Sequence, residues 1–196
     1  MEPLGSEEAA PRTRGLVSRA TKLSTVPDRR AVLSAADSPR TFWSAPDEAT
    51  VVGSGSATTI RADGPDRFRA VREAATELFS VGDVHAGALA ARPRLFGGFA
   101  FHDEHTETAP WEGDPGAKFV LPRTQVTYAG DEAWLTVNDI GTDPEAVERR
   151  LEEAADRFET LPDPGPVGTP PGITERTRTT SEAEWRESVV AATDRI

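Results

Sequence analysis

Two histidines and two acids stand together at His102-Asp103-Glu104-His105, the chain's one cluster of imidazoles and carboxylates. Histidines three residues apart beside carboxylates can hold a divalent metal. The cluster runs straight into Thr106-Glu107-Thr108-Ala109-Pro110, which has turn composition, and a solvated loop is the reading we take in so acidic a chain. Gly53-Ser54-Gly55-Ser56-Ala57 has the small residues of a phosphate cradle. No helix is expected after it, no Gly-Lys-Ser/Thr follows, and the third glycine of a dinucleotide fingerprint is missing. A strand that needs small residues for close packing accounts for it better. The same stretch supplies no Gly-x-Ser-x-Gly elbow between a strand and a helix, so it exposes no serine nucleophile.

Trp43, Trp111, Trp134 and Trp185, with eight phenylalanines, have the chemistry of an aromatic pocket. Each tryptophan falls in a strand or helix pattern, and core packing is the reading preferred. Lys118 stands alone among apolar strand residues. It is either a buried functional ammonium or, more commonly for such a residue, a salt-bridged or snorkelling one. By physical chemistry alone no active site is visible, and no catalytic, cofactor-binding or metal-binding residue is assigned.

The elements that would position such groups follow from periodicity and punctuation. Pro27-Asp28 opens a short helix with Val32, Leu33 and Ala36 on one face. Thr41 to Ser44 and Ala49 to Ala62 read as extended. Asp63-Gly64-Pro65 predicts a helix start with Pro65 at its first position, and Phe68, Val71, Ala75, Leu78 and Phe79 then recur at helical spacing to Ser80. Leu95-Phe96-Gly97-Gly98-Phe99-Ala100-Phe101 reads as a buried strand approached closely by another backbone. Phe119 to Leu121 and Thr124 to Tyr128 are extended, and Ala129-Gly130-Asp131-Glu132 turns into Trp134 to Val137 as a hairpin. Asp143-Pro144 caps a helix carrying Val147, Leu151, Ala154 and Phe158. A stretch rich in proline and glycine follows. Beyond it, Ser181-Glu182-Ala183-Glu184 is a capping box for a helix with Trp185, Val189, Ala192 and Ile196 on one face. Helix, strands, helix, strands, helix with several hairpins predicts an α+β fold.

Composition bounds the function classes. Leu, Ile, Val and Phe make up about 19% of the 196 residues, and the net charge is −11, just inside the compositional range of disorder. The two capped amphipathic helices argue for a folded chain instead. There is no cysteine, which removes disulfides, thiolate metal sites and cysteine nucleophiles. Acids outnumber bases 33 to 22, which argues against nonspecific nucleic-acid binding. No apolar run reaches a membrane span and no secretory signal opens the chain, so a cytoplasmic protein is expected. The acids are dispersed and the only lysines are Lys22 and Lys118. That pattern keeps a protein soluble in concentrated salt, so a halophile's protein is expected.

Several segments together resemble a known family. Thr41-Phe42-Trp43-Ser44-Ala45-Pro46-Asp47, followed by Ala49 to Ala57, is similar to an early aromatic-Trp strand and a small-residue strand. Arg94 to Phe101 resembles a glycine-rich strand. Trp111-Glu112-Gly113, with Ala117-Lys118-Phe119-Val120-Leu121-Pro122-Arg123, resembles a Trp-x-Gly and Phe-x-Leu-Pro-Arg segment. These are the marks of isochorismate synthases, in the chorismate-utilising family that also holds anthranilate and aminodeoxychorismate synthases. Asp114-Pro115-Gly116 departs from the pattern, standing where a small aromatic-containing turn is expected. Trp185 to Ile196 looks like the helix that precedes the family's catalytic half, and the acidic style suggests a haloarchaeal member.

The resemblance implies part of an α/β/β/α sandwich with mainly antiparallel sheets, incomplete in this chain. Composition gives a mobile segment at residues 1–15 and a proline- and glycine-rich linker or surface loop at 161–180. The resemblance implies an N-terminal α+β portion at 16–160 and, at 181–196, the start of a helix leading into a missing catalytic half. It implies a Mg2+-dependent isomerase that makes isochorismate from chorismate for menaquinone synthesis. In such enzymes a lysine activates a water that attacks ring carbon 2, a glutamate protonates the departing 4-hydroxyl, and other glutamates hold Mg2+ against the substrate carboxylate. None of these groups maps onto residues 1–196, and Lys118 lies in a different motif from the family's base. The chain alone is therefore expected to be inactive. The alternative is a noncatalytic scaffold or half of a split enzyme, with a companion chain carrying the catalytic half.

Overall fold

The computed structural model describes residues 15–46, 48–102, 111–166, 168, 172, 175 and 177–195. The chain divides into two compact units, Met1–Pro164 and Gly165–Ile196. In the first unit, in chain order, lie β1 (Leu16–Lys22), α1 (Arg29–Ala35), β2 (Arg40–Trp43), β3 (Thr50–Ser54), β4 (Thr58–Ala62), α2 (Arg67–Ser80), β5 (Asp83–His85), a 3-10 turn (Leu89–Ala91), β6 (Phe96–Phe99), β7 (Ala117–Leu121), β8 (Thr124–Ala129), β9 (Glu132–Ile140) and α3 (Pro144–Glu159). The second unit holds α4 (Glu182–Thr193).

The strands form a six-stranded sheet, order β2-β3-β8-β9-β1-β5, and a three-stranded sheet, order β4-β7-β6. All pairings are antiparallel except β1 with β5. The fold is α+β with mainly antiparallel sheets.

Alternation along the strands gives the large sheet one apolar face. Val17, Leu23, Val52, Val126, Leu135 and Val137 lie there, closed over by Val32 of α1 and by Val147, Leu151 and Phe158 of α3. Both helices are started by an aspartate. The Asp28 carboxylate accepts from the Arg30 and Ala31 amides, and the Asp143 carboxylate accepts from the Glu145 amide, with Pro144 in the first turn. The opposite face carries Ser18, Gln125, Thr127, Thr136 and Asn138, all wholly buried. There, Thr136 Oγ1 donates to the Ala91 carbonyl at 2.8 Å, Gln125 Nε2 to the Arg92 carbonyl at 3.2 Å, and Asn138 Nδ2 to the Pro122 carbonyl at 2.9 Å. These bonds hold two connecting segments to the sheet, while Ser18 Oγ, Gln125 Oε1 and Asn138 Oδ1 stay buried without a hydrogen-bond partner among the described residues.

Three expectations are corrected. The first described element is a strand, β1, inserted between β9 and β5, where the sequence pattern indicated no element before a helix. Its central residues are covered on both faces, Arg19 included, so no alternation shows in Leu16-Val17-Ser18-Arg19. Helix α2 begins two residues after Pro65. Gly64 takes a left-handed φ of 72° and the Arg67 guanidinium donates to its carbonyl, so those residues form a turn instead. The strand over Phe96–Phe99 is an exposed sheet edge, not a buried strand. The close backbone approach read from its glycines is present, since a Cβ on Gly97 would collide with the Lys118 carbonyl oxygen.

Candidate functional site

A cleft of about 730 Å³ opens beside β5 and the segment after it. Its wall is made by Phe79 at the end of α2, Val84 and His85 of β5, and Leu89, Arg92 and Pro93 around the 3-10 turn. Gly87 turns the chain there with a φ of 68°. The two buried donors Thr136 and Gln125 then fix the carbonyls of Ala91 and Arg92, so the wall is held from beneath. At the cleft's edge a chain of polar contacts runs outward. Arg19, almost fully buried, donates to the Asp83 carboxylate at 2.7 Å and to the Asp83 carbonyl at 3.1 Å. The other Asp83 carboxylate oxygen lies 3.2 Å from His85 Nε2. The Arg19 hydrogen bond holds the Asp83 carboxyl below its ordinary range, against a small opposing effect of burial. This geometry orients an imidazole at the mouth of a mostly apolar cleft.

A second cleft, about 340 Å³, lies along β6 and β7 and is lined by Phe99, Trp111, Asp114 and Lys118 among others. Phe68 of α2 stacks on Phe99 with ring centroids 4.3 Å apart, and Phe99 meets Phe119 at 4.9 Å. The start of α2 is bound to this sheet by Arg67, whose guanidinium donates to the Ala100 carbonyl at 3.1 Å, and by Asp63, which accepts from the Gly116 amide at 2.6 Å. Lys118 is partly exposed and donates to Asp114 at 3.3 Å, the geometry of a surface ion pair.

The features singled out in the sequence fall as follows. His102 is exposed just past β6, while Asp103, Glu104 and His105 lie outside the described residues. Among the described residues no three His, Asp or Glu side chains come together as a metal site. Ser54 ends β3 and Gly55 turns into β4, with no helix following. A Cβ on Gly53 would lie 2.7 Å from Pro122 Cγ, so that glycine serves close packing. The core reading of the tryptophans is corrected: Trp43, Trp111 and Trp185 are 48%, 58% and 61% exposed. The core is filled by smaller residues on the central strands, and Trp43 sits on the edge strand β2, where it meets Phe96 at 6.4 Å.

Two clusters had no reading in the sequence. Arg19, Asp83 and His85 are joined by a parallel pairing across 64 positions, and the local sign, Asp-Val-His alternating on a strand, is short. Asp139, nearly buried on β9, receives Arg150 of α3 and Arg123, the latter at 3.4 Å. Burial pushes its carboxyl up, but the Ile140 amide, Arg150, Thr142 and Arg123 together hold it below the ordinary value of 3.8.

The profile of the chorismate binding enzyme family matches residues 6–196. The chain belongs to that family. No curated protein matches it. Among solved structures it is similar to MenF, the menaquinone-specific isochorismate synthase of Escherichia coli, at 18% identity and a TM-score of 0.48. That similarity covers 94% of this chain and 38% of the MenF chain, so the present chain spans well under half of that enzyme's length. Among the described residues, no helix is long and apolar enough to cross a membrane.

Proposed function

We propose that residues 1–196 form the scaffold part of an isochorismate synthase, whose substrate is chorismate and whose reacting groups are not among these residues. The observation that carries the reading is the run Phe119-Val120-Leu121-Pro122-Arg123 within a chain of the chorismate binding enzyme family. That run resembles the isochorismate branch more than the anthranilate branch. Its residues are structural in this chain: Leu121 and Pro122 are fully buried, the Pro122 carbonyl accepts from Asn138, and Arg123 reaches Asp139 and the Ser56 carbonyl. The segment thus ties the small sheet to the large one and sets the frame on which a site could be mounted.

In this reading Mg2+ offsets the charge of a substrate carboxylate when bound, with ligands outside these residues. What this chain's own residues do is position. The pinned segment Ala91–Arg92, the Asp139 cluster and the α2 anchor at Arg67 and Asp63 keep the two sheets in one geometry. The test is product analysis. The product of the whole open reading frame containing this segment is incubated with chorismate and Mg2+, with and without ammonia, and the products are separated by chromatography. Isochorismate in both conditions is expected. Anthranilate or aminodeoxychorismate appearing with ammonia, or unchanged chorismate throughout, would overturn the assignment.

A further inference from the structure

We infer that the cleft between β5 and residues 86–93 is a binding site for a small organic monocarboxylate with an apolar, ring-sized body. The inference stands apart from the isochorismate reading, which uses the backbone of Ala91–Arg92 to hold the frame but gives the cleft no ligand. The cleft's volume, about 730 Å³, lies within the range of small-molecule sites. Its shape does not depend on a ligand. Thr136 and Gln125, both wholly buried, hold the Ala91 and Arg92 carbonyls, and Ala91 itself is fully buried. A wall fixed this way loses little conformational entropy when a guest enters.

The lining states the chemistry of the guest. Phe79, Val84, Leu89 and Pro93 present apolar surface, and Leu89 at the rim is 74% exposed with no apolar cover. Two polar side chains join them. The Arg92 guanidinium makes no ion pair among the described residues, although the chain carries an excess of eleven negative charges. Arg19, Arg69, Arg123, Arg150 and Arg186 are each occupied by a carboxylate, and Arg92 is the arginine that lines this cleft. The second polar side chain is His85, held by Asp83, which is in turn held by Arg19. One unpaired guanidinium suits one carboxylate, to which it can donate two parallel hydrogen bonds. The single imidazole beside it suits a hydroxyl or carbonyl on the same guest. A phosphate or a dicarboxylate would call for more cationic groups than the cleft provides.

Benzoate serves as the probe and benzyl alcohol as its uncharged counterpart, titrated into the 15N-labelled chain and followed by amide chemical shifts at low ionic strength. Saturable benzoate shifts confined to the cleft, at residues 84–93, are expected. Arg92→Gln weakens benzoate by roughly tenfold or more, as expected for loss of a charge-assisted hydrogen bond. It leaves benzyl alcohol unchanged, and Arg94→Gln leaves benzoate unchanged. Since Arg92 is exposed, unaltered β8–β9 resonances in Arg92→Gln will show that the fold is intact. Three results would each overturn the inference: no shift at residues 84–93 up to tens of millimolar benzoate, benzyl alcohol binding as tightly as benzoate, or Arg92→Gln binding benzoate like the parent.

Discussion

Asp139 brings two guanidiniums to one nearly buried carboxylate at the end of β9, where Arg123 and Arg150 of α3 converge. Its folded-state pKa is lowered, so it adds stability above the unfolded-state value and loses it as pH falls through the folded one. Asp83 and Glu132 shift the same way, each through a hydrogen bond from a basic side chain, Arg19 and Lys22 respectively. Unfolding free energy is expected to fall from about pH 4 downward, and Asp139→Asn should flatten that limb and cost about 1–3 kcal/mol at neutral pH in urea unfolding. The single tyrosine gives an independent check at the alkaline end. Burial raises the Tyr128 hydroxyl to about 12, with Arg29 above the ring pulling slightly the other way. A raised value means its contribution is complete below pH 10 and is lost as pH rises toward 12, and absorbance titration should show no phenolate until near that point. Gly97 and Gly98 separate two roles of adjacent glycines. A Cβ on Gly97 meets the Lys118 backbone, whereas one on Gly98 meets nothing within 4 Å. Gly97→Ala should destabilise by at least about 2 kcal/mol and Gly98→Ala by less than about 0.5 kcal/mol, measured by thermal unfolding.

At the scale of elements, legibility followed local chemistry. Helix α3 was legible because Asp143-Pro144 and the stripe of Val147, Leu151 and Phe158 lie within one stretch of chain. The β8–β9 hairpin was legible because Gly130, with φ 60°, marks its turn. Strands β1 and β5 were not, because what makes them strands is their pairing with each other and with β9, far away in sequence. The exposure of Trp43 is hidden for a related reason: aromatic character shows in the sequence, but the edge position of β2 does not. The 730 Å³ cleft was invisible too, since it is assembled from α2, β5 and a loop pinned by side chains of β8 and β9. Helix α4 presents the opposite case. Its capping box is present, with Ser181 and Glu184 bonded reciprocally, but none of its residues is buried. Local capping alone leaves a 12-residue helix marginal. Hydrogen exchange should therefore find the α4 amides exchanging orders of magnitude faster than those of α3, and Ser181→Ala should speed them further.

The whole molecule carries 33 acids against 22 bases and little bulky apolar residue content. Mutual repulsion of those charges opposes compaction at low ionic strength, and salt screens it. Excluded salts also strengthen apolar burial. We read the composition as suited to concentrated salt, and the thermal midpoint of the chain should rise as KCl is raised toward molar concentration. A flat or falling midpoint would remove that reading. The chain, a member of the chorismate binding enzyme family, presents a frame of two sheets. We propose that residues 1–196 supply the frame and not the reacting groups. The most direct measurement incubates this chain by itself with chorismate and Mg2+ and follows the ring protons by NMR. Chorismate should persist without enzymatic conversion, and isochorismate above the enzyme-free control would place reacting groups within residues 1–196.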